Sequence, residues 1–114
     1  MAQFMFLYRY QEELPVSPAQ MQERMQKWMA WMKELSDKGH LKDRGQPLER
    51  SGKLVRGTPK KNVTDGPYAE KDLVIGYTLI EASDLAQASE LSAGCPILEG
   101  GGLVEVRPVR PMNL

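Results

Sequence analysis

Residues 73–81 read Leu-Val-Ile-Gly-Tyr-Thr-Leu-Ile-Glu, with apolar side chains at both odd and even positions. Because successive side chains of a β-strand point to opposite faces, this segment presents apolar groups on both sides, as a central strand does. Residues 3–10 repeat the pattern, with aromatic residues at every second position from Phe4 and with Met5 and Leu7 between them. The sequence therefore predicts two strands, each apolar on both faces.

A long helix is predicted to follow the first strand. Ser17 and Gln20 form a capping-box pattern, and Pro18 occupies the first helical position. The apolar residues that follow recur at steps of three and four and predict one stripe facing the core: Met21, Met25, Trp28, Met29, Met32 and Leu35. Trp31 is predicted at the flank of this stripe, and Gly39 is placed to end the helix in a left-handed conformation.

The segment between this helix and residue 73 has weaker signals. Residues 45–47 predict a turn, residues 48–57 a short strand or hairpin, and residues 61–64 an edge strand. Residues 64–68, Thr-Asp-Gly-Pro-Tyr, predict a further turn. In such a segment Asp bonds to the following backbone, Gly accepts positive φ and Pro restricts its own φ.

The C-terminal part predicts a second, shorter helix and a last strand. Ser83 and Asp84 cap the helix, its inner stripe is Leu85, Ala88 and Leu91, and residues 94–96 end it. A loose loop is predicted at residues 99–102 and a strand at residues 103–107. The order β-α-β(β)-β-α-β indicates an α+β fold of ferredoxin-like βαββαβ topology. A length of 114 residues suits a single domain, residues 1–114.

The predicted helices are too few to cover both faces of the predicted sheet. Two helices cover only one face, yet both central strands are apolar on both faces. We therefore expect a homodimer in which a second copy packs on the open sheet face, sheet against sheet.

Composition argues against several classes of function. The chain has 15 acidic and 15 basic residues, so no single-signed charge favours nucleic acid or an anionic membrane. With one cysteine, Cys95, and one histidine, His40, we expect neither an intramolecular disulfide nor a Cys/His zinc site, and no metal or other cofactor. The absence of a basic leader and of a long apolar run predicts a cytoplasmic protein that does not enter the membrane.

Several ordered motifs resemble the YCII-related family in its DGPF-type branch. They are Asp65-Gly66-Pro67-Tyr68-Ala69-Glu70, Gly76-Tyr77, Gly94-Cys95-Pro96, the ending Val104-Glu105-Val106-Arg107-Pro108, and the Gln46-Pro47-Leu48 turn. The resemblance implies a dimeric α+β barrel with clefts between sheet, helix and loops. The wider superfamily includes small lyase-like or dehydrochlorinating enzymes that use a His and Asp pair, and some relatives are joined to sigma factors. The enzyme-like members carry a histidine in or near the first helix, whereas residues 17–38 contain none.

Asp65 is the first candidate for a catalytic residue. A carboxylate beside Gly66, Pro67 and Tyr68, near the implied cleft, can accept a proton or orient a substrate hydroxyl. The alternative is an Asx-turn in which the carboxylate shapes its own loop. His40 is the default acid or base because histidine titrates near neutral pH, and its alternative role is to favour the dipole at a helix C-terminus.

Other candidates concern substrate binding. Tyr8, Arg9 and Tyr68 are predicted to line the cleft, where Arg9 could hold an anion through a bidentate contact, with Glu70 as a weaker acid or base. The alternative for Arg9 is an ion pair with Glu105. The tryptophans and methionines of the first helix are interpreted as core, Cys95 as a buried structural thiol and residues 100–102 as a flexible connection.

Two functional hypotheses follow. The first is a small lyase-like enzyme without a cofactor, acting on a small anionic or hydroxylated organic substrate near Asp65. The second is a non-catalytic ligand-binding or accessory module, for example one linked to transcription, that uses the same cleft.

Overall fold

The computed structural model describes residues 1–10, 15–57, 62–66 and 73–112, with only the backbone described for residues 62–66. In chain order the strands, helices and one 3-10 helix are β1 (Ala2–Tyr10), α1 (Pro18–Asp37), β2 (Leu41–Asp43), β3 (Gly52–Arg56), β4 (Asn62–Gly66), β5 (Leu73–Ala82), α2 (Leu85–Ser92), the 3-10 helix Pro96–Gly100 and β6 (Gly102–Pro108).

Four of the strands form one antiparallel sheet in the order β2-β5-β1-β6. This order, together with the placement of α1 and α2 in the chain, is the ferredoxin-like arrangement that the sequence predicts. The two strands that are apolar on both faces lie at the centre, where Phe4 pairs with Ile80 and Phe6 with Thr78. Strand β2 forms at residues where the sequence predicts none.

Helix α1 begins as predicted. The Gln20 backbone N–H donates to Ser17 Oγ at 3.1 Å, and the Ser17 N–H donates to Gln20 Oε1 at 2.9 Å, which completes the capping box. At the other end Gly39 has φ of 78°, a left-handed conformation that glycine adopts without a steric penalty.

The predicted core stripe of α1 is only partly right. Met32 and Leu35 are buried, but Met21, Met25 and Met29 are 58%, 59% and 68% exposed. Two of these three methionines line an open cavity instead of the core. A helical period marks one face of a helix, but it does not tell how close that face comes to the sheet.

The core lies between the sheet and the two helices, and its buried apolar side chains are Phe4, Phe6, Tyr8, Trp31, Met32, Leu35, Ile80, Ala82, Ala88, Cys95 and Ile97. Trp31, predicted at the flank of the helix stripe, belongs to this core. Its ring stacks on Phe6 with centroids 6.0 Å apart, and its Nε1–H donates to the Leu91 carbonyl at 3.2 Å. The aromatic contact and the bonded indole N–H together make burial of this tryptophan favourable.

Strands β3 and β4 form a separate two-stranded hairpin. The edge strand predicted at residues 61–64 is confirmed for residues 62–64. The strand continues, since Asp65 pairs with Lys53 and Gly66 with Gly52, so the turn predicted for residues 64–68 is wrong for these two residues. Pairing with β3 gives their backbone groups hydrogen-bond partners that a turn would not supply. Residues 67–72 lie outside the described residues.

The C-terminal half follows the prediction with two changes. Asp84 caps α2 by accepting from the Gln87 N–H at 2.8 Å, and Ala88 is buried, but Leu85 is exposed and does not join an inner stripe. Residues 96–100 form a 3-10 helix, so the predicted loose loop is limited to Gly101, with φ of 84°, before β6 begins. Within the described residues, no helix combines the length and the apolar character needed to cross a bilayer.

Candidate functional site

A cavity of about 850 Å³ opens between α1 and the sheet, and we call it the α1–sheet cavity. Strands β1 and β5, helix α1, the 3-10 helix and the loop after β2 supply its described lining. The lining residues are Tyr8, Tyr10, Met25, Trp28, Met29, Ala30, Met32, Lys33, Ser36, Asp37, Arg44, Gly45, Gln46, Pro47, Ile75, Gly76, Tyr77, Thr78 and Ile97.

A chain of two hydrogen bonds crosses the cavity lining. The Tyr8 hydroxyl donates to Thr78 Oγ1 at 2.7 Å, and the Thr78 hydroxyl donates to the Arg44 carbonyl at 2.9 Å. Both side chains are buried, and burial raises the pKa of Tyr8 above its ordinary value. The phenol therefore stays protonated at neutral pH, and its oxygen keeps only the capacity to accept a further hydrogen bond.

One wall of the cavity is aromatic. Trp28 meets the Tyr8 ring edge-on, with centroids 4.9 Å apart and an angle of 88° between the planes. Trp28 also contacts Trp31 edge-on at 5.6 Å, so its orientation is held from the core side. Met25 and Met29 complete this wall with flexible, polarizable side chains.

The opposite wall is a loop that needs two glycines. Gly45 has φ of 76°, and a Cβ at this position would overlap the Tyr77 carbonyl. A Cβ on Gly76 would lie 3.3 Å from the Gln46 carbonyl oxygen and 3.4 Å from the Tyr8 ring. The loop therefore lies directly on β5, and it is held there by the bond from the Leu48 N–H to the Ile75 carbonyl at 2.8 Å.

These loop and strand residues carry two of the motifs that the sequence singles out, Gln46-Pro47-Leu48 and Gly76-Tyr77. Sequence reasoning gave them no part in a site. The sequence signal was Gly76, since a glycine inside a strand marks a place where another backbone comes close.

The charged groups of the cavity lie on α1 and on the loop. Lys33 Nζ is 2.7 Å from Asp37 Oδ2, one turn along the exposed side of the helix. Arg44 is exposed, and it takes part in no ion pair among the residues that the structure describes. The described lining thus holds two cations and one carboxylate, and the carboxylate is engaged with one of the cations.

The structure separates the two predicted cleft residues of β1. Tyr8 lines the cavity, but Arg9 does not, because neighbouring residues of a strand point to opposite faces. Arg9 Nη2 lies 2.8 Å from Glu105 Oε1, which is the ion pair that the sequence offered as its alternative role.

His40 lies just after α1 and does not line the cavity. Its ring Nδ1 is 2.8 Å from the Glu81 carbonyl oxygen, a contact that requires the proton to be on Nδ1. Its backbone bonds to Leu35 and Glu81, both at 2.8 Å, and so ties the end of α1 to β5. Its contacts are those of a residue that joins two elements.

The Asp65 motif is only partly described. The backbones of Asp65 and Gly66 lie in β4, while the Asp65 side chain and residues Pro67, Tyr68 and Glu70 lie outside the described residues. Their roles as catalytic or substrate-binding residues stay predictions.

Cys95 is buried beside the 3-10 helix, as the sequence predicts for a structural thiol. Burial raises the pKa of the Cys95 thiol to about 12, so no thiolate nucleophile forms near neutral pH.

Comparison with known proteins agrees with the motifs. A family model described as the YCII-related domain matches residues 2–113. The chain belongs to the YCII-related family. No curated protein matches the chain in sequence.

A solved structure with a related backbone is 5-chloro-2-hydroxyhydroquinone dehydrochlorinase (TftG) from Burkholderia phenoliruptrix AC1100, in complex with 2,5-dihydroxybenzoquinone. It is 14% identical to this YCII-related chain and superimposes with a TM-score of 0.47. The match covers 95% of this chain and 93% of the dehydrochlorinase. A likeness this distant transfers no activity.

Proposed function

We propose that this YCII-related protein binds a small organic molecule in the α1–sheet cavity. The observation that carries the proposal is a cavity of about 850 Å³ with a wall of aromatic and methionine side chains and a buried, hydrogen-bonded pair of hydroxyls, those of Tyr8 and Thr78. Small-molecule sites typically have volumes of roughly 300–1,000 Å³, mostly apolar walls and a few placed polar groups. The ligand is therefore expected to be mainly apolar.

The described lining favours binding over chemistry. Tyr8 is held in its protonated form, Lys33 is engaged with Asp37, and His40 lies outside the cavity. A general base that is not engaged in an ion pair would have to come from elsewhere in the chain.

A lyase-like reaction without a cofactor is the second candidate, with Asp65 as its base. The supporting observation is the path of the chain. Gly52, the residue that pairs with Gly66, lies only four residues beyond Leu48, whose N–H is bonded to β5 at the cavity wall. Four residues span at most about 14 Å, so the base of the hairpin that carries Asp65 starts close to the cavity mouth.

Binding can be tested with 2-naphthol, a neutral ring compound, by quenching of tryptophan fluorescence and by amide chemical shifts. Met29→Glu places a carboxylate in the lining and should weaken binding at least about tenfold. Met21→Glu is the matched control, because Met21 is similarly exposed on the same helix but outside the lining, and it should leave the affinity unchanged. Absence of binding, or equal losses in both variants, contradicts the proposal.

The role of Asp65 needs a separate test. A compound shown to bind is incubated with the wild type and with Asp65→Asn, and its NMR spectrum is followed. Conversion by the wild type alone supports catalysis through Asp65. Conversion by both proteins removes Asp65 from the mechanism, and conversion by neither supports the non-catalytic module.

We also propose that the protein is a homodimer through the open face of the sheet, the face without helices. Met5, Leu7, Tyr77 and Leu79 pair across β1 and β5 on this face and are half-buried in the single chain. A second copy would bury them further. Light scattering should give a dimer at micromolar concentration and a folded monomer for Leu79→Lys, and a stable wild-type monomer would refute the interface. The cytoplasmic location stays a prediction.

A further inference from the structure

We propose that the ligand of the α1–sheet cavity is a hydroxylated aromatic anion, with its ring against Trp28, its negative group toward Arg44 and its hydroxyl on Tyr8. The inference rests on the proposed function and names the ligand class. It is carried by three independent properties of the lining: its aromatic rings, its balance of charge and its remaining hydrogen-bonding capacity.

The rings of the lining favour a flat partner. Tyr8, Tyr10 and Trp28 all contribute to the lining, and the edge-on contact of Trp28 with Tyr8 holds two of these rings nearly perpendicular. Aromatic pairs in stacked or edge-on contact are stabilised beyond the burial of their area. Methionine sulfur also contacts ring edges favourably. A planar ring therefore gains more from this lining than an aliphatic chain of the same size.

Aromatic linings also suit cations, so the charges must decide the sign of the ligand. Lys33 and Arg44 are the cations of the described lining, and Asp37 is its carboxylate. Asp37 is engaged by Lys33 at 2.7 Å, which leaves the positive charge of Arg44 without a counter-ion among the described residues. This balance attracts an anion, and a guanidinium binds carboxylate oxygens in a bidentate manner.

The two hydrogen bonds of Tyr8 and Thr78 determine which kind of polar group the ligand can present at its other end. The Tyr8 hydrogen is donated to Thr78, and the Thr78 hydrogen is donated to the Arg44 carbonyl. The Tyr8 oxygen can therefore only accept, and it recognises a donor such as a ring hydroxyl. Thr78 also bonds to the backbone of Arg44, the residue that attracts the anion. The two hydrogen bonds therefore fix the position of the Arg44 backbone relative to Tyr8.

The test uses three para-substituted phenols of different charge: 4-hydroxybenzoate, 4-hydroxybenzamide and 4-hydroxyphenyltrimethylammonium. Dissociation constants are measured at low salt by calorimetry and by chemical shifts. We expect the anion to bind about tenfold more tightly than the amide, and the cation to bind most weakly.

Arg44→Gln should abolish this preference, so that the benzoate and the benzamide bind within about twofold of each other. Lys42→Gln is the matched control, since it removes a positive charge two residues away, where Lys42 is paired with Glu81 and lies outside the lining. It should leave the preference intact. If both variants lose the preference, it arises from the overall positive charge of the surface and not from Arg44, and the inference is wrong.

The ligand class and the proposed function fail in different ways. Equal binding of benzoate and benzamide by the wild type, or tighter binding of the cation, overturns the aromatic anion while a ligand-binding cavity stands. If none of the three probes binds and 2-naphthol does not bind either, the proposed function is wrong as well.

Discussion

The two faces of the four-stranded sheet come from the same central strands but have different surroundings. On the face under the helices Phe4, Phe6 and Ile80 are almost completely buried, whereas on the open face Leu7 and Leu79 keep part of their surface. The pairing of β1 with β5 is regular on both faces from Ala2 to Tyr8, and its register shifts between Tyr8 and Arg9. Apolar side chains on both faces of a strand favour burial of both faces, but within the described part of the single chain the helices cover only one of them.

The largest expected difference between the faces concerns truncation of neighbouring apolar side chains. Phe6→Ala should lower the free energy of unfolding by about 3–5 kcal/mol, because it opens a space beneath Trp31 in the core. Leu7→Ala on the open face should cost about 1–2 kcal/mol in a monomer, since its side chain is only half-buried. Urea unfolding followed by circular dichroism measures both. If the two variants lose equal free energy of unfolding at high protein concentration but different amounts after dilution, a second copy covers the open face.

The second prediction concerns the chemistry of Cys95 on the covered side. Burial raises its pKa from 9.0 to about 12, so at pH 8 the folded protein holds about a thousandfold less thiolate than an unperturbed thiol. Alkylation by iodoacetamide should be correspondingly slow until urea unfolds the chain, and the unfolded protein at the same pH is the control.

The same shift predicts the effect of alkaline pH on stability. The pKa of this acid is higher in the folded state, so its contribution to stability is fully present below pH 9.0 and is lost as the pH rises through about 12. Rapid alkylation of the folded protein at pH 8 would show that water reaches the thiol and would contradict this account.

A smaller effect is expected at the buried, hydrogen-bonded pair of Tyr8 and Thr78. Thr78→Val should lower the free energy of unfolding by about 1–3 kcal/mol, because the Tyr8 hydroxyl and the Arg44 carbonyl lose their partner. Thr78→Ser keeps the hydroxyl and should cost only about 1 kcal/mol for the lost methyl group. If thermal or urea unfolding finds the valine variant the more stable of the two, the hydrogen-bond chain does not stabilise the fold.

The smallest effect is expected on the open face, at the ion pair of Arg9 with Glu105. The two side chains are 28% and 35% exposed, so Arg9→Met should change the free energy of unfolding by less than about 1 kcal/mol, and less still at high salt. Arg107→Met, which affects a longer and more exposed pair with the same glutamate, is the control. A loss of several kcal/mol at Arg9 would mean that the pair is desolvated, as it would be beneath a second copy.

The prediction succeeded where a residue's environment depends on its near neighbours in sequence. The capping box at Ser17, the left-handed Gly39 and the Asp84 cap are local hydrogen-bond or backbone requirements, and all three occur as expected. The prediction failed where the burial of a residue depends on the distance between two elements. Met21, Met25 and Met29 lie on the predicted stripe of α1, but they remain exposed.

The candidate site was harder to predict than the fold because five parts of the chain contribute to it. Tyr8 was predicted, but Trp28 was interpreted as core, and Thr78 and Arg44 had no signal of their own. Gly45 and Gly76 were visible only as glycines, and their role appears when the loop lies against β5.

The sequence by itself determined the two helices with their caps, the last strand and the two strands that are apolar on both faces, because these follow from periodicity and local backbone chemistry. Only the tertiary structure decided that α1 leaves a cavity over Tyr8 and Thr78, that Trp31 packs in the core, and that Asp65 and Gly66 pair as a strand. These outcomes depend on the relative placement of elements distant in sequence, which no single segment specifies.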